Sequence, residues 1–426
     1  MPRKTIIIFI VVFIAVGALG YGGYFLYNKY TETSGSNTTS PGTSGYQQFN
    51  PFGTGGATAT NTPPTTTTPK GEQTAPAGGT VGEVTVYKLN KLTDFAIAGA
   101  TFFQDTRALP QLEGTKVDPK VPKTELVPSL RYVERATGHV FERYLDTGVV
   151  GEISNSTIPN IYETFFDSKA QSIMYRYLET DKTISSFLAT LGAAKGDFLP
   201  SNIIDISLSP DKTKFFYLTK TSSGVTGTSV AFGQAKRNQF FSSSYDEWLS
   251  QWVTTNSIFL TTKASGQADG YLYTLNTTNG ALKKIFGPVA GLTTLANKDG
   301  SLVLYSASST GSPSLGLLDV AHHSTRDLGL TGLPEKCVWS ADNTNIFCAI
   351  PNTLDAGQYP DAWYQGLTSF DDHFIEINTK TFAITKIDST SNSTSVDATH
   401  LFLDDKEVKL FFTNKKDSTL WGLDLK

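Results

Sequence analysis

Aromatic and acidic side chains crowd into PNTLDAGQYPDAWYQGLTSFDD, residues 351–372. Tyr359, Trp363 and Tyr364 supply flat apolar faces, and Asp361, Asp371 and Asp372 supply acceptors beside them. Aromatic anchors ringed by polar groups have the composition of recognition hot spots, which makes these six the candidate ligand- or partner-binding residues. A loop that packs its own aromatics over a rim has the same composition, and spacing alone does not separate the two. A second stretch, QDTRALPQLEGTKVDPKVPKTELVP (104–128), is also long for a simple connection, and long loops on a scaffold often carry recognition.

Covalent chemistry has little to work with. The Gly-x-Ser-x-Gly elbow of hydrolases does not occur, nor does His-Glu-x-x-His or an Asp-x-Asp-x-Asp-Gly calcium loop. The five histidines are His139, His322, His323, His373 and His400. His139 falls in a polar turn, and His322 and His323 would point to opposite faces of an extended chain. No catalytic residue, metal ligand or cofactor is assigned.

The elements that hold these residues begin with composition. The chain has 426 residues, 12% aromatic, 17% charged, with a formal net charge of -4. Aromatic enrichment with sparse charge favours strands. No Lys/Arg cluster supplies the basic face that a nucleic-acid binder needs, so nucleic acid is excluded as a partner.

Residues 1–4 carry Arg3 and Lys4 and read as a cytoplasmic tail. The uncharged run that follows, TIIIFIVVFIAVGALGYGGYFL, is long enough at about 1.5 Å per residue to cross a bilayer core, so 5–27 reads as a transmembrane signal-anchor. The alternative is a cleaved signal peptide with Ala18-Leu19-Gly20 as its small-residue site. Residues 28–80 are rich in Ser, Thr, Gly and Pro, cannot bury enough apolar area to offset their ordering entropy, and read as a disordered linker. The remainder, 81–426, is expected outside the cell membrane, on its extracytoplasmic side.

That remainder repeats. SPDKTKFFYL (209–218) pairs a polar turn with a bulky apolar run, and the pattern returns at FDSKAQSIMY, NKDGSLVLY, SADNTNIFCA and LDDKEVKLFF. Aligned on Asp167, Asp211, Asp299, Asp342 and Asp405, most copies lie 43 or 44 residues apart or at twice that spacing. A degenerate copy falls near Asn256, and the last interval is widened by the 351–372 insertion. A period in the low forties made of short strands signals an all-β β-propeller, one four-stranded blade per repeat. The apolar run is a strand buried on both faces, and RYVERATGHVFERYL, GYLYTLNTTNGALKKIF and FIEINTKTFAITKI read as the outer hairpins of their blades.

Trp339-Ser340-Ala341-Asp342 and Ser209-Pro210-Asp211-Lys212 resemble the WD40-like repeats of TolB-type proteins and of the propellers in some exported peptidases. The resemblance spans 80–426 in short, degenerate copies and implies architecture rather than activity. Seven blades is the count, with six or eight as the alternatives: about 92–147, 148–192, 198–244, 245–287, 288–330 and 331–388, with the seventh from 396–426. That seventh blade has three strands of its own, and VGEVTVYKLN (81–90) is available as its fourth, so the two chain ends are expected to close the ring.

Cys337 and Cys348 flank the turn of the sixth repeat. If Ser340 pairs with Asn345, the same register sets Cys337 opposite Cys348, at a Cα separation that a disulfide can span. Export permits the bond; the alternative is two buried thiols. Together these features describe a membrane-tethered propeller that binds or scaffolds an envelope protein, peptide or glycan. The alternative is an exported hydrolase or lyase with acids lining its channel.

Overall fold

The structure is a computed structural model that describes residues 87–109, 124–193, 196–309, 311–388 and 394–425. The expectations for the tail, anchor and linker fall on residues outside this set. Among the described residues, no helix is long and apolar enough to cross a membrane.

Among those residues, twenty-eight strands form seven antiparallel sheets of four. Each sheet is a blade whose first strand lies innermost: β2 (Ile97–Ala108), β6 (Ile161–Phe166), β10 (Ile203–Leu208), β14 (Trp248–Thr254), β18 (Thr294–Ala296), β22 (Cys337–Trp339) and β26 (Ala398–Leu403). The second strands include β7 (Ser172–Leu178), β11 (Lys214–Thr221), β15 (Ser257–Thr262), β23 (Asn345–Pro351) and β27 (Lys409–Asn414), and they carry the apolar runs. Phe215, Phe216, Tyr217 and Leu218 on β11 are all buried, because one face of the strand packs on the preceding blade and the other on the next. The core is therefore not one cluster but a series of layers, each sealed between neighbouring sheets.

The turn that starts the run is fixed by one side chain in five of the blades. The oxygen of Ser209 accepts from the Lys214 N–H at 2.9 Å, and Ser340 accepts from the Asn345 N–H at 2.9 Å. Asn297 accepts from Leu302 at 3.1 Å, Asp167 from Ser172 at 3.0 Å, and Asp404 from Lys409 at 2.9 Å. The structural equivalent of Asp167 is thus Ser209, not Asp211, and Asp404 rather than Asp405 holds the last turn. Aspartate and serine are interchangeable there because either offers an acceptor to an N–H five residues on. Asp405 instead accepts from the Gln104 side chain of blade 1.

Ring closure follows the expected route. Leu89, Asn90 and Lys91 (β1) pair with Leu423, Gly422 and Trp421 of β28 (Thr419–Asp424), supplying the fourth strand of blade 7. One boundary differs. RYVERATGHVFERYL is the middle hairpin of blade 1, β3 (Thr124–Glu134) with β4 (Val140–Tyr144), and the blade ends with β5 (Val150–Ser154) rather than near 147. Likewise β9 (Asp197–Phe198) closes blade 2. The Thr-Gly turn at Gly138, with φ +78, has the chemistry of an outer hairpin, so its sequence gives no hint of its radial position. Cys337 and Cys348 face each other in the β22–β23 ladder and are joined by a disulfide.

Candidate functional site at the channel mouth

Antiparallel order puts the first-to-second and third-to-fourth hairpins of every blade at one end of the ring. The second-to-third hairpins and the links between blades lie at the other. The long connection 352–371 joins β23 to β24 (Asp372–Asn378) and belongs to the second end, where the innermost strands begin. The blade-1 connection joins β2 to β3 and belongs to the first. The described ends of the blade-1 connection thus lie on the face opposite the blade-6 insertion.

The blade-6 insertion leans across its neighbours. Ser308 of blade 5 donates to the Tyr359 carbonyl at 2.5 Å, and the Gly266 N–H of blade 4 donates to Asp361 at 2.7 Å. Beneath it, Tyr359, Trp363, Phe370 and Leu333 make a small buried core, with the Trp363 and Phe370 rings parallel and 5.9 Å apart. Lys336, with no exposure, lies about 5 Å from both ring centres and bonds Asp397 at 2.6 Å and Asp372 at 2.8 Å. Asp397 also accepts from the Trp363 indole, Ser369 and the Phe370 N–H. One lysine between two carboxylates clamps the insertion to the blade.

Burial pushes the Asp372 carboxyl up to about 6, against the pull of Lys336, and its Oδ1 has no partner among the described residues. Its pKa is raised on folding, so the folded state favours the protonated form and loses stability as pH rises from the unfolded value through about 6. Asp372 should therefore lower the stability read from urea midpoints by about 2 kcal/mol between pH 4.5 and 7.5, since a tenfold change in proton affinity is worth about 1.4 kcal/mol. Asp372→Asn should make the slope shallower by that amount; an unchanged slope would remove Asp372 as a contributor.

Beside the insertion, over the mouth of the channel, opens a cavity of about 1060 Å³. Tyr162, Asp205, Ser250 and His400 come from the innermost strands, Glu335 from a link between blades, and Asp361 and Tyr364 from the insertion. Irregular backbone aims several of them. Register breaks fall at Tyr162 in β6, just before Asp205 in β10, and at His400 in β26, where His400 itself has φ 52°. Bulges of this kind re-aim a side chain and recur beside functional sites.

Asp205 Oδ2 accepts from the Ser250 N–H at 2.7 Å and from its hydroxyl at 2.5 Å. Burial, opposed by those hydrogen bonds and raised further by Glu163, pushes the Asp205 carboxyl up to about 7. Glu163 is itself held by Arg176 at 2.8 Å, and Arg176 also donates to the Ile203 carbonyl at 2.9 Å. Crowding by the cavity wall lowers the His400 imidazole, while Glu163 pulls the other way. On the opposite wall Glu335 accepts from Tyr364 and, at 3.0 Å, from Thr293; burial raises both the Glu335 carboxyl and the Tyr364 phenol. The cavity thus offers fixed acceptors, a weakly acidic carboxyl and an imidazole.

Of the six residues singled out in the insertion, Asp361 and Tyr364 reach the cavity, and Trp363 lines it with an edge while remaining 4% exposed. Tyr359 and Asp372 are buried in the packing described above. Asp371 accepts from the Asn352 side chain at 3.1 Å at the neck of the loop. Tyr162, Asp205, Glu335 and His400 carried no sequence signal beyond standing at the start of an innermost strand or just before one. Among the described residues there is no cluster of His, Cys, Asp and Glu that could hold a metal.

No known family profile matches the chain, and no curated protein matches it. Solved structures do. An oligogalacturonate lyase from Vibrio parahaemolyticus superposes with a TM-score of 0.49 at 11% identity, over 78% of this chain and 99% of that one. An oligogalacturonate lyase in complex with manganese gives 0.49 at 10% identity over the same shares. TolB from Acinetobacter baumannii gives 0.40 at 12% identity, over 68% of this chain and 61% of that one. The identity is too low to transfer a ligand or a reaction. The seven closed four-stranded sheets define the architecture directly: the chain is a seven-bladed β-propeller that counts TolB and oligogalacturonate lyase, both propellers, among its structural neighbours.

Proposed function

We propose that this protein is a membrane-tethered binding module whose propeller takes a segment of an envelope protein, a peptide or a glycan into the channel-mouth cavity. In this reading 5–27 anchor the chain, 28–80 act as a spacer, and the propeller works on the extracytoplasmic side. The observation that carries the binding function is the cavity of about 1060 Å³, at the upper end of the usual range for ligand sites, whose polar groups are already held by protein neighbours. Groups fixed before the ligand arrives cost little to order on binding.

The test places a photo-crosslinking residue at Gln365, on the cavity rim, or at Lys169, in a turn on the opposite face of the ring, in full-length protein in its native envelope. A ligand captured from Gln365 and not from Lys169 supports the reading; equal capture at both, or none, ends it. A second reading, enzyme rather than binder, draws on Asp205, whose carboxyl near 7 is suited to general acid–base work beside Glu163 and His400. Recovery of the captured ligand intact favours the binder. Cleavage by the native protein that disappears in Asp205→Asn favours the enzyme.

A further inference from the structure

Resting on the reading of the cavity as the binding site, we infer that its occupant is an extended neutral or amino-sugar glycan, several units long, lying in a trough from the channel axis to the rim. The first observation is adjacency. A second cavity of about 460 Å³ lies beside the insertion, and Asp361 and Gln365 line both, so the two adjoin. A ligand filling this path is long rather than compact, because the main cavity alone already reaches the upper end of what drug-sized ligands occupy, about 1,000 Å³.

The second observation is the surface the trough offers. Tyr162 and Tyr364 are 45% and 38% exposed and stand on different walls. Exposed rings with polar tips suit a sugar, whose axial C–H groups make one face apolar while its hydroxyls point outward. Hydroxyl, amide and carboxylate groups line the main cavity beside the rings, among them Ser250, Gln251, Glu335 and Asp361, and the amides of Gln358 and Gln365 line the second. A peptide would be anchored by apolar side chains in deep pockets, but the aliphatic side chains in the main cavity are Leu249 and Ala264.

The third observation is charge. Three carboxyl groups, Asp205, Glu335 and Asp361, face the cavity against two lysines, of which Lys415 donates to the Trp363 carbonyl at 2.6 Å and the largely exposed Lys263 lies 3.7 Å from Glu247. The burial that already raises the Asp205 and Glu335 carboxyls would penalise each further carboxylate of a uronate chain in the same way. Neutral and amino sugars, which donate hydrogen bonds, match it.

The test presents full-length protein in detergent to an immobilised array of neutral, N-acetylamino and uronate oligosaccharides, from disaccharides to octasaccharides, and in parallel to a phage-displayed random-peptide library. The expected result is retention of neutral or N-acetylamino chains, with hexasaccharides bound at least about tenfold more tightly than disaccharides, a span of about 1.4 kcal/mol or more. Tyr162→Ala and Tyr364→Ala should each weaken that binding about tenfold, while Tyr364→Phe, which keeps the ring, stays within about threefold. Circular dichroism and thermal melting confirm that each variant folds, and Tyr162→Phe serves as the ring-preserving control at the other wall. Preference for uronates, or affinity independent of chain length, overturns the inference. Peptides retained by the native protein and lost in Tyr364→Ala overturn the glycan while leaving the cavity as the binding site. Retention of neither class overturns both.

Discussion

Replacing Lys336 by methionine will destabilise the propeller by about 3–5 kcal/mol, the usual result of stripping one partner from a fully buried ionic cluster. The native cluster holds one cation against two carboxylates, all without solvent exposure, and Asp372 already has one unpartnered oxygen. Methionine keeps the length and apolar stem of the lysine, so packing against Trp363 and Phe370 is largely retained and the loss reports charge. Two buried carboxylates left without the ammonium must either ionise at high cost or take up protons. The deficit should therefore be larger at pH 8 than at pH 5, because at the lower pH the orphaned pair is already partly neutral. Urea titration at both pH values measures this. Adding Asp397→Asn to Lys336→Met should recover part of the loss, and a deficit that ignores both pH and the second change would mean that packing, not charge, is what the lysine supplies.

Phe216→Ala will cost a similar amount, about 3–5 kcal/mol, from lost burial and the cavity left behind. Phe216 has no exposure, and its ring lies directly over Gly227 on the neighbouring strand β12 (Gly224–Ala231). A Cβ at Gly227 would meet the Phe216 ring at 2.6 Å. Gly227→Ala alone should thus cost about 1–3 kcal/mol by overpacking. In the Phe216→Ala background only the Phe241 Cβ, at 3.0 Å, still crowds the same methyl, which should then cost clearly less. A double-mutant cycle in urea reads the coupling directly. Additive losses would show that the ring and the glycine are not one packing unit.

These two residues also show what the sequence makes visible. The run Phe215 to Leu218 is legible because a strand sealed between two sheets must be apolar on both faces, so the repeat can be read without any structure. The closing strand is legible for a related reason: seven blades of four strands leave the last one short, and only the other end of the chain can supply it. Glycine at 227 carries no such mark. Nor do the residues of the cavity. Tyr162, Asp205 and His400 each stand alone in a strand, and what brings them together is the radial arrangement of blades and a backbone break beside each of them. The insertion announced itself by length and aromatic content, but those properties serve its own attachment as much as a ligand: Tyr359 and Trp363 are buried in the small core with Leu333 and Phe370. Composition counts aromatic rings; it does not say which way they turn.

A three-residue ladder closes the ring, with backbone hydrogen bonds from Tyr87 to Asp388 and from Leu92 to Leu420 on either side of it. Any pull arriving along the backbone from the amino-terminal side meets Leu89, Asn90 and Lys91 before it meets another described strand, and their partners are three consecutive positions on β28. The seam therefore behaves as a latch in series with whatever precedes it. Peeling it bares the rim of a single sheet and leaves six others with all four of their strands. Mechanical load would open this wheel at one spoke without unravelling the rest.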